Sequence, residues 1–255
     1  MLDLDMKGRT VLITGATGQL GRVMALKFAE CNADVIIHYN SNRAKAEDLY
    51  RQVTEMGRKA YIAQADITDQ ASIEQMKADI EANFKLPDIL VDNAVIQYEQ
   101  WLPVLDQDPK DYYSQFESCV MQTVYMTKAF LPHMKEQGWG RVVCTNTECA
   151  ALAEAGSSAY VSAKRGLDGV VRCLAKEVGA YGITVNQVAP GWTISYVDRE
   201  NGTEVDERYN ATVPLKRRGT DEEIAHMAVF LASDLCSYTT GAYFPVCGGR
   251  VMPGI

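Results

Sequence analysis

Long apolar runs are missing from this chain. No stretch approaches the roughly 18 residues that a membrane-spanning helix requires, and the first ten positions carry Asp3, Asp5, Lys7 and Arg9 where a secretory signal needs an apolar segment. The expectation is a soluble, cytoplasmic protein with no membrane partner. Histidine is scarce, limited to His38, His133 and His226, and the seven cysteines never form a Cys-x-x-Cys pair. Without a Cys/His ligand spacing no metal site is expected. An odd number of cysteines scattered through apolar segments reads as reduced packing residues rather than a disulfide framework. Positive charge is also in deficit: 25 Lys and Arg face 33 Asp and Glu, a net charge of -8. That is the wrong sign for neutralising the phosphates of a duplex, so no nucleic-acid partner is expected.

What is present is 255 residues, 47% of them hydrophobic, enough to bury a sizeable core within a single domain. Short β-branched runs alternate with amphipathic stretches. The runs are Thr10 to Thr14, Val35 to Ile37, Lys59 to Gln64, Ile89 to Val91, Arg141 to Thr145, Ile183 to Val188 and Ala242 to Val246. Between them apolar residues recur at spacings of three and four, as in Leu20, Met24, Phe28 and Cys31, in Ala46, Leu49, Tyr50 and Val53, and in Leu167, Val170, Val171, Leu174 and Val178. The pattern predicts an α/β fold, a doubly wound parallel sheet of about seven strands with helices on both faces. From Pro190 to Gly219 neither period holds and charge is dense, which predicts a substrate-binding loop or lid over about 190–219.

The segment Thr14-Gly15-Ala16-Thr17-Gly18-Gln19-Leu20-Gly21 follows the first strand and opens the first helix. A helix N-terminus offers unpaired N–H groups and partial positive charge, and glycines admit a pyrophosphate close to the main chain. The alternative is a strand–helix turn whose glycines serve packing alone. Asp66, in QADITD, is placed either to accept a hydrogen bond from an adenine amino group or to start the next helix.

Tyr160 and Lys164 stand four apart at the start of the longest helical stretch, so both project from one face. An ammonium one turn away favours phenolate, and the expectation is a tyrosine pKa lowered toward acid–base use at neutral pH. Thr147, just past the fifth strand, offers a hydroxyl to hold a substrate oxygen beside the phenol.

The glycine turn, Asp66, Asn93 in VDNAV, Thr147, Tyr160, Lys164 and the Pro190-Gly191 pair occur in one order over nearly the whole chain. Together they resemble the short-chain dehydrogenase/reductase family of the classical type. The resemblance implies a Rossmann-fold enzyme that binds NAD(P) and moves a hydride between the nicotinamide and a carbonyl or alcohol carbon of a small molecule. Tyr160 would be the proton donor or acceptor, Lys164 would bind the nicotinamide ribose, and Thr147 would stand where the family carries serine. The implied cofactor contacts are Gly15, Thr17, Gly18, Gln19, Leu20 and Gly21 in the turn, then Asp66 and Ile67, Asn93 and Ala94, Tyr160 and Lys164, and Pro190, Gly191 and Thr193. A homo-oligomer, tetramer or dimer, is also implied.

The chain departs from the family pattern at several positions. Its glycines are Gly15, Gly18 and Gly21, the spacing of extended relatives such as sugar-nucleotide epimerases, whose chains are far longer. Val95 replaces a glycine, and Cys119 falls where the family has a catalytic asparagine whose water serves the lysine. Ser118 or Gln122 could supply the missing polar group. The second strand ends His38-Tyr39-Asn40-Ser41-Asn42-Arg43, with no carboxylate to bind the ribose hydroxyls of NAD or repel a 2'-phosphate. Tyr39, Asn40, Ser41, Asn42 and Arg43 therefore predict NADP(H) preferred over NAD(H), unless Ser41 or Asn42 only caps the next helix and Arg43 faces solvent. Aromatics mixed with charge in Trp192 to Arg208 and in Tyr98-Glu99-Gln100-Trp101 favour a sugar-like or polyol substrate, alongside oxoacyl types. The alternative function is a dinucleotide-binding or sensing member of the family with impaired turnover.

Overall fold

The computed structural model describes residues 4–96 and 100–252, so Tyr98 and Glu99 lie outside the described residues. The first half contains β1 (Thr10–Ile13), α1 (Gln19–Glu30), β2 (Asp34–Tyr39), α2 (Arg43–Glu55), β3 (Ala60–Gln64), α3 (Gln70–Asn83), β4 (Ile89–Asp92) and α4 (Pro109–Phe116). A π-helical turn, Glu117–Met121, leads into α5 (Gln122–Gln137), followed by β5 (Gly140–Thr145), α6 (Cys149–Leu152), α7 (Ser158–Val178) and β6 (Ile183–Pro190). The remainder is β7 (Thr193–Ile194), α8 (Tyr196–Asn201), α9 (Glu207–Thr212), β8 (Gly219–Thr220), α10 (Asp221–Ala232) and β9 (Tyr243–Val246).

Seven strands form one parallel sheet in the order β3-β2-β1-β4-β5-β6-β9. Its inner strands β2, β1, β4, β5 and β6 are buried on both faces, which is why they read as continuous apolar runs rather than alternating ones, whereas the edge strands β3 and β9 are only half-buried. Val11 and Ile13 point toward α1, α2 and α10, whereas Leu12 points toward α3, α5 and α7. Helices thus cover both faces of a doubly wound sheet, and the strand order reverses between β1 and β4. In such sheets a ligand crevice opens at the carboxyl ends of the strands beside that reversal.

Two expectations are corrected and a third gains detail. The stretch 190–219, expected as a substrate-binding loop or lid, holds α8, α9 and the small β7–β8 sheet, in which Thr193 pairs with Gly219. Short helices escape periodicity, but their caps are legible afterwards, Ser195 and Asp198 forming a capping box for α8 and Asp206 capping α9. Cys173 is exposed on α7, so it is not a packing residue, although all seven cysteines are free thiols. Tyr50 lies on the outer side of α2, leaving Ala46, Leu49 and Val53 as its buried stripe. Among the described residues no helix is long and apolar enough to cross a membrane.

Candidate active site

A cleft of about 700 Å³ opens at the carboxyl ends of β1, β4, β5 and β6. Its floor at one end is the glycine turn. Gly15 adopts a left-handed φ of +62°, and a Cβ on Gly21 would lie 2.3 Å from the Gly15 carbonyl oxygen. Glycine is therefore required at 21 so that α1 can start directly over the turn, although Gly21 itself packs beneath the cleft rather than lining it. Gly18 caps α1 with no side-chain hydrogen bond, leaving first-turn amides for an anion, as the approach of a pyrophosphate requires. Under the turn, the Gly15 N–H donates to His38 Nδ1 (3.0 Å) and His38 Nε2 faces the Ala65 carbonyl (3.1 Å). Burial pushes His38 down to about 4, so it is a neutral strut at physiological pH. Thr14 adds a second brace: its hydroxyl accepts from the Asn93 and Ala94 amides and donates to Gln122 Oε1 at 2.6 Å.

At the far end Asn40, Ser41, Asn42 and Ile67 line the cleft. Asn42 also caps α2, its side chain accepting from the Lys45 amide. Tyr39, Arg43 and Asp66 instead line a separate cavity beside β3. The Tyr39 hydroxyl donates to Gln64, the Arg43 guanidinium pairs with Glu47 at 2.8 Å, and Asp66 accepts from the Thr68 amide and hydroxyl.

Thr147, Tyr160 and Lys164 meet in the middle of the cleft, with Asn93 and Ala94 from just after β4 and Pro190, Gly191 and Thr193 from β6–β7. The Lys164 ammonium is buried and donates to the Thr145 carbonyl at 2.6 Å. Asn146, which the sequence reading did not single out, donates from Nδ2 to the Lys164 carbonyl and accepts from the Thr147 amide, tying the two catalytic candidates to one side chain. The Tyr160 ring packs at 5.6 Å against the half-exposed ring of Trp101. Its pKa is raised, against the expected lowering: burial outweighs the Lys164 charge and the Thr147 hydrogen bond, which both act in the expected direction. Burial also works against the Lys164 ammonium, but Cys119, Tyr160 and Cys144 face it and hold its pKa above the ordinary value.

Cys119 sits in the π-helical turn, buried and close enough to Lys164 to raise the pKa of its ammonium. It does not line the cleft. Neither expected substitute reaches the lysine: Ser118 Oγ donates to the Ser114 carbonyl, and the Gln122 amide donates to Ala94 and Ser118 carbonyls. The thiol is thus the group that occupies this place.

The roof is held by two arginines. Arg218 donates to the Thr193 carbonyl, and Arg250 donates to Glu148, which also accepts from the Tyr209 hydroxyl that receives the Trp192 N–H. Gln19 Nε2 donates to the Ile194 carbonyl at 3.0 Å, joining the glycine turn to this roof.

Fold and cleft define a Rossmann-type dinucleotide enzyme, and the comparisons agree. The family profile described as Enoyl-(Acyl carrier protein) reductase matches residues 15–250. The chain is 32% identical over 249 residues to the 3-oxoacyl-(acyl-carrier-protein) reductase FabG of Pseudomonas aeruginosa, covering 98% of this chain and 100% of that one. It is 30% identical over 244 residues to Nodulation protein G of Azospirillum brasilense, covering 96% and 98%. A gluconate 5-dehydrogenase from Burkholderia cenocepacia, solved in complex with NADP and tartrate, superposes with a TM-score of 0.89 at 26% identity, covering 97% of this chain and 96% of that one. The chain belongs to the short-chain dehydrogenase/reductase family and is an NAD(P)-dependent oxidoreductase.

Proposed function

We propose that the protein is an NADP(H)-preferring oxidoreductase acting on the carbonyl or alcohol carbon of a small polar molecule of sugar, polyol or oxoacyl type. The observation that carries this reading is the meeting of Thr147, Tyr160 and Lys164 in one cleft with a helix N-terminus whose Gly18 cap offers no side chain to its amides. A bound nicotinamide would supply or accept the hydride. The residues supply the rest. Because burial keeps Tyr160 protonated at neutral pH, its phenol donates a proton to the developing alkoxide, while the Thr147 hydroxyl holds that oxygen and Lys164 balances the charge left on the phenol. Gluconate and oxoacyl names among the relatives support the substrate range. A homo-oligomer fits the exposed Tyr113 and Phe116 on α4.

Following the reduced-nicotinamide absorbance across ketones, ketoses and oxoacyl thioesters tests this reading. Tight cofactor binding without turnover on any of them would favour the impaired-member alternative, which the Cys119 thiol beside Lys164 keeps open. For cofactor choice, NADPH should bind at least about tenfold more tightly than NADH, equivalent to about 1.4 kcal/mol. Asn40, Ser41 and Asn42 carry that preference, because Arg43 is held by Glu47 outside the cleft. Fluorescence titration of both reduced cofactors decides it, and tighter NADH binding would overturn the preference.

Thr147 gives a sharper test. Thr147→Ser keeps the hydroxyl and should retain or raise activity, whereas Thr147→Val keeps the shape, deletes the hydrogen bond and should lose most of it. Equal rates for the two variants would remove Thr147 from the reaction.

A further inference from the structure

Beneath the cleft lies a buried acidic group that the reaction above does not use. Asp92 ends β4, is 3% exposed, and pairs across the sheet with Cys144 of β5. The Cys144 Sγ stands 4.0 Å from Asp92 Oδ2 and 3.9 Å from the Thr123 hydroxyl of α5. The Lys164 ammonium of α7 is bound to the carbonyl of the next residue, Thr145. Among the described residues, Asp92 Oδ1 is fully buried with no hydrogen-bond partner. An orphaned carboxyl oxygen in the sheet is costly, and it is tolerated where a nearby cation balances the charge.

We propose that Asp92 is a positioning residue of the active site, a buried carboxylate whose charge supports the Lys164 ammonium from beneath and so holds the Tyr160–Lys164 pair in its working state. This rests on the reading of Tyr160 and Lys164 as the acid–base pair. The groups facing Asp92 are Cys144 from β5, Thr123 from α5 and Lys164 from α7, among the described residues. Burial pushes Cys144 well up, so its thiol stays protonated, and the carboxyl is the member of the cluster that carries negative charge at neutral pH. Burial raises Asp92 to about 6, against the Thr123 hydrogen bond and the Lys164 charge. The carboxylate, and with it the support for Lys164, is therefore present above that value and lost as pH falls through it.

The test has two parts. In the protein without cofactor, carbon-13 NMR of labelled aspartate and lysine should show a carboxyl titrating near pH 6 that vanishes in Asp92→Asn, together with a Lys164 midpoint moved to lower pH in the variant. In turnover, a midpoint near 6 makes the rate at pH 7 about tenfold that at pH 5 through this group, and the ratio should fall toward one in Asp92→Asn. Should Asp92→Asn fail to fold, Thr123→Val serves instead: losing the hydroxyl raises the carboxyl midpoint and must carry the acid limb of the rate profile upward with it. An unmoved Lys164 midpoint in Asp92→Asn, or an unmoved acid limb in Thr123→Val, overturns the proposal. The underlying reading fails separately, by full turnover in Tyr160→Phe.

Discussion

Tyr160→Phe should lower turnover by about 100- to 10,000-fold, the range that a positioned general acid contributes. The phenylalanine ring keeps the packing against Trp101 and deletes only the hydroxyl that faces Thr147. Cofactor binding should stay nearly unchanged, because the glycine turn, the α1 N-terminus and the Asn40–Asn42 end of the cleft are untouched. A loss confined to kcat with an unaltered cofactor dissociation constant assigns the proton to Tyr160. A variant that turns over like the parent removes it from the chemistry. Because burial holds the phenol protonated, the loss should be visible in the carbonyl-reducing direction at neutral pH.

Arg218→Ala should destabilise the protein by about 3 kcal/mol, the lower end of what breaking a buried ion pair costs. The guanidinium is 2% exposed, donates to both carboxylate oxygens of Asp198 and to the Thr193 and Thr203 carbonyls, and lies 4.2 Å over the Trp192 ring. Removing it leaves the Thr193 and Thr203 carbonyls without this donor, strips Asp198 of its cation while the Ser195 and Thr203 hydrogen bonds remain, and uncovers one face of Trp192, whose ring still packs on Tyr209. Lysine cannot replace the planar fork, so Arg218→Lys should recover less than half of the loss. Chemical denaturation measures the stability, and a Glu-specific protease should cleave the variant faster at Glu200 and Glu204. Parent-like cleavage would show that β7 and α8 hold without Arg218. The partner carboxylate makes the contact acid-sensitive: Arg218 and Ser195 hydrogen bonds hold Asp198 far below the usual carboxylate range, so its stabilisation is present above about pH 4 and fades in strong acid.

Several features escaped the sequence for identifiable reasons. Helix α5 carries buried Gln122, Thr123 and Thr127 and has Pro132 inside it, so its apolar stripe is interrupted. His38 and Asn146 bind backbone groups from distant segments, and nothing in their local neighbourhood marks those partners. Arg43 has the right type and place for a phosphate contact, yet Glu47 lies one turn on and claims it. That pairing was legible at i, i+4 spacing.

The alternation of apolar runs and amphipathic stretches, read by itself, determined the parallel sheet. The strand–turn–helix setting of Gly15 to Gly21 and the four-residue step from Tyr160 to Lys164 determined which residues would share its carboxyl edge. These are local periodicities, and a parallel sheet brings every strand end to the same side. Only the tertiary structure decided the charge states in the cleft. Whether Tyr160 is lowered by its lysine or raised by burial, and whether Asp92 is a silent strand end or a charge beneath that lysine, depends on desolvation by residues far away in the chain. Spacing places an ammonium beside a phenol; the dielectric around both is set by everything else that packs there.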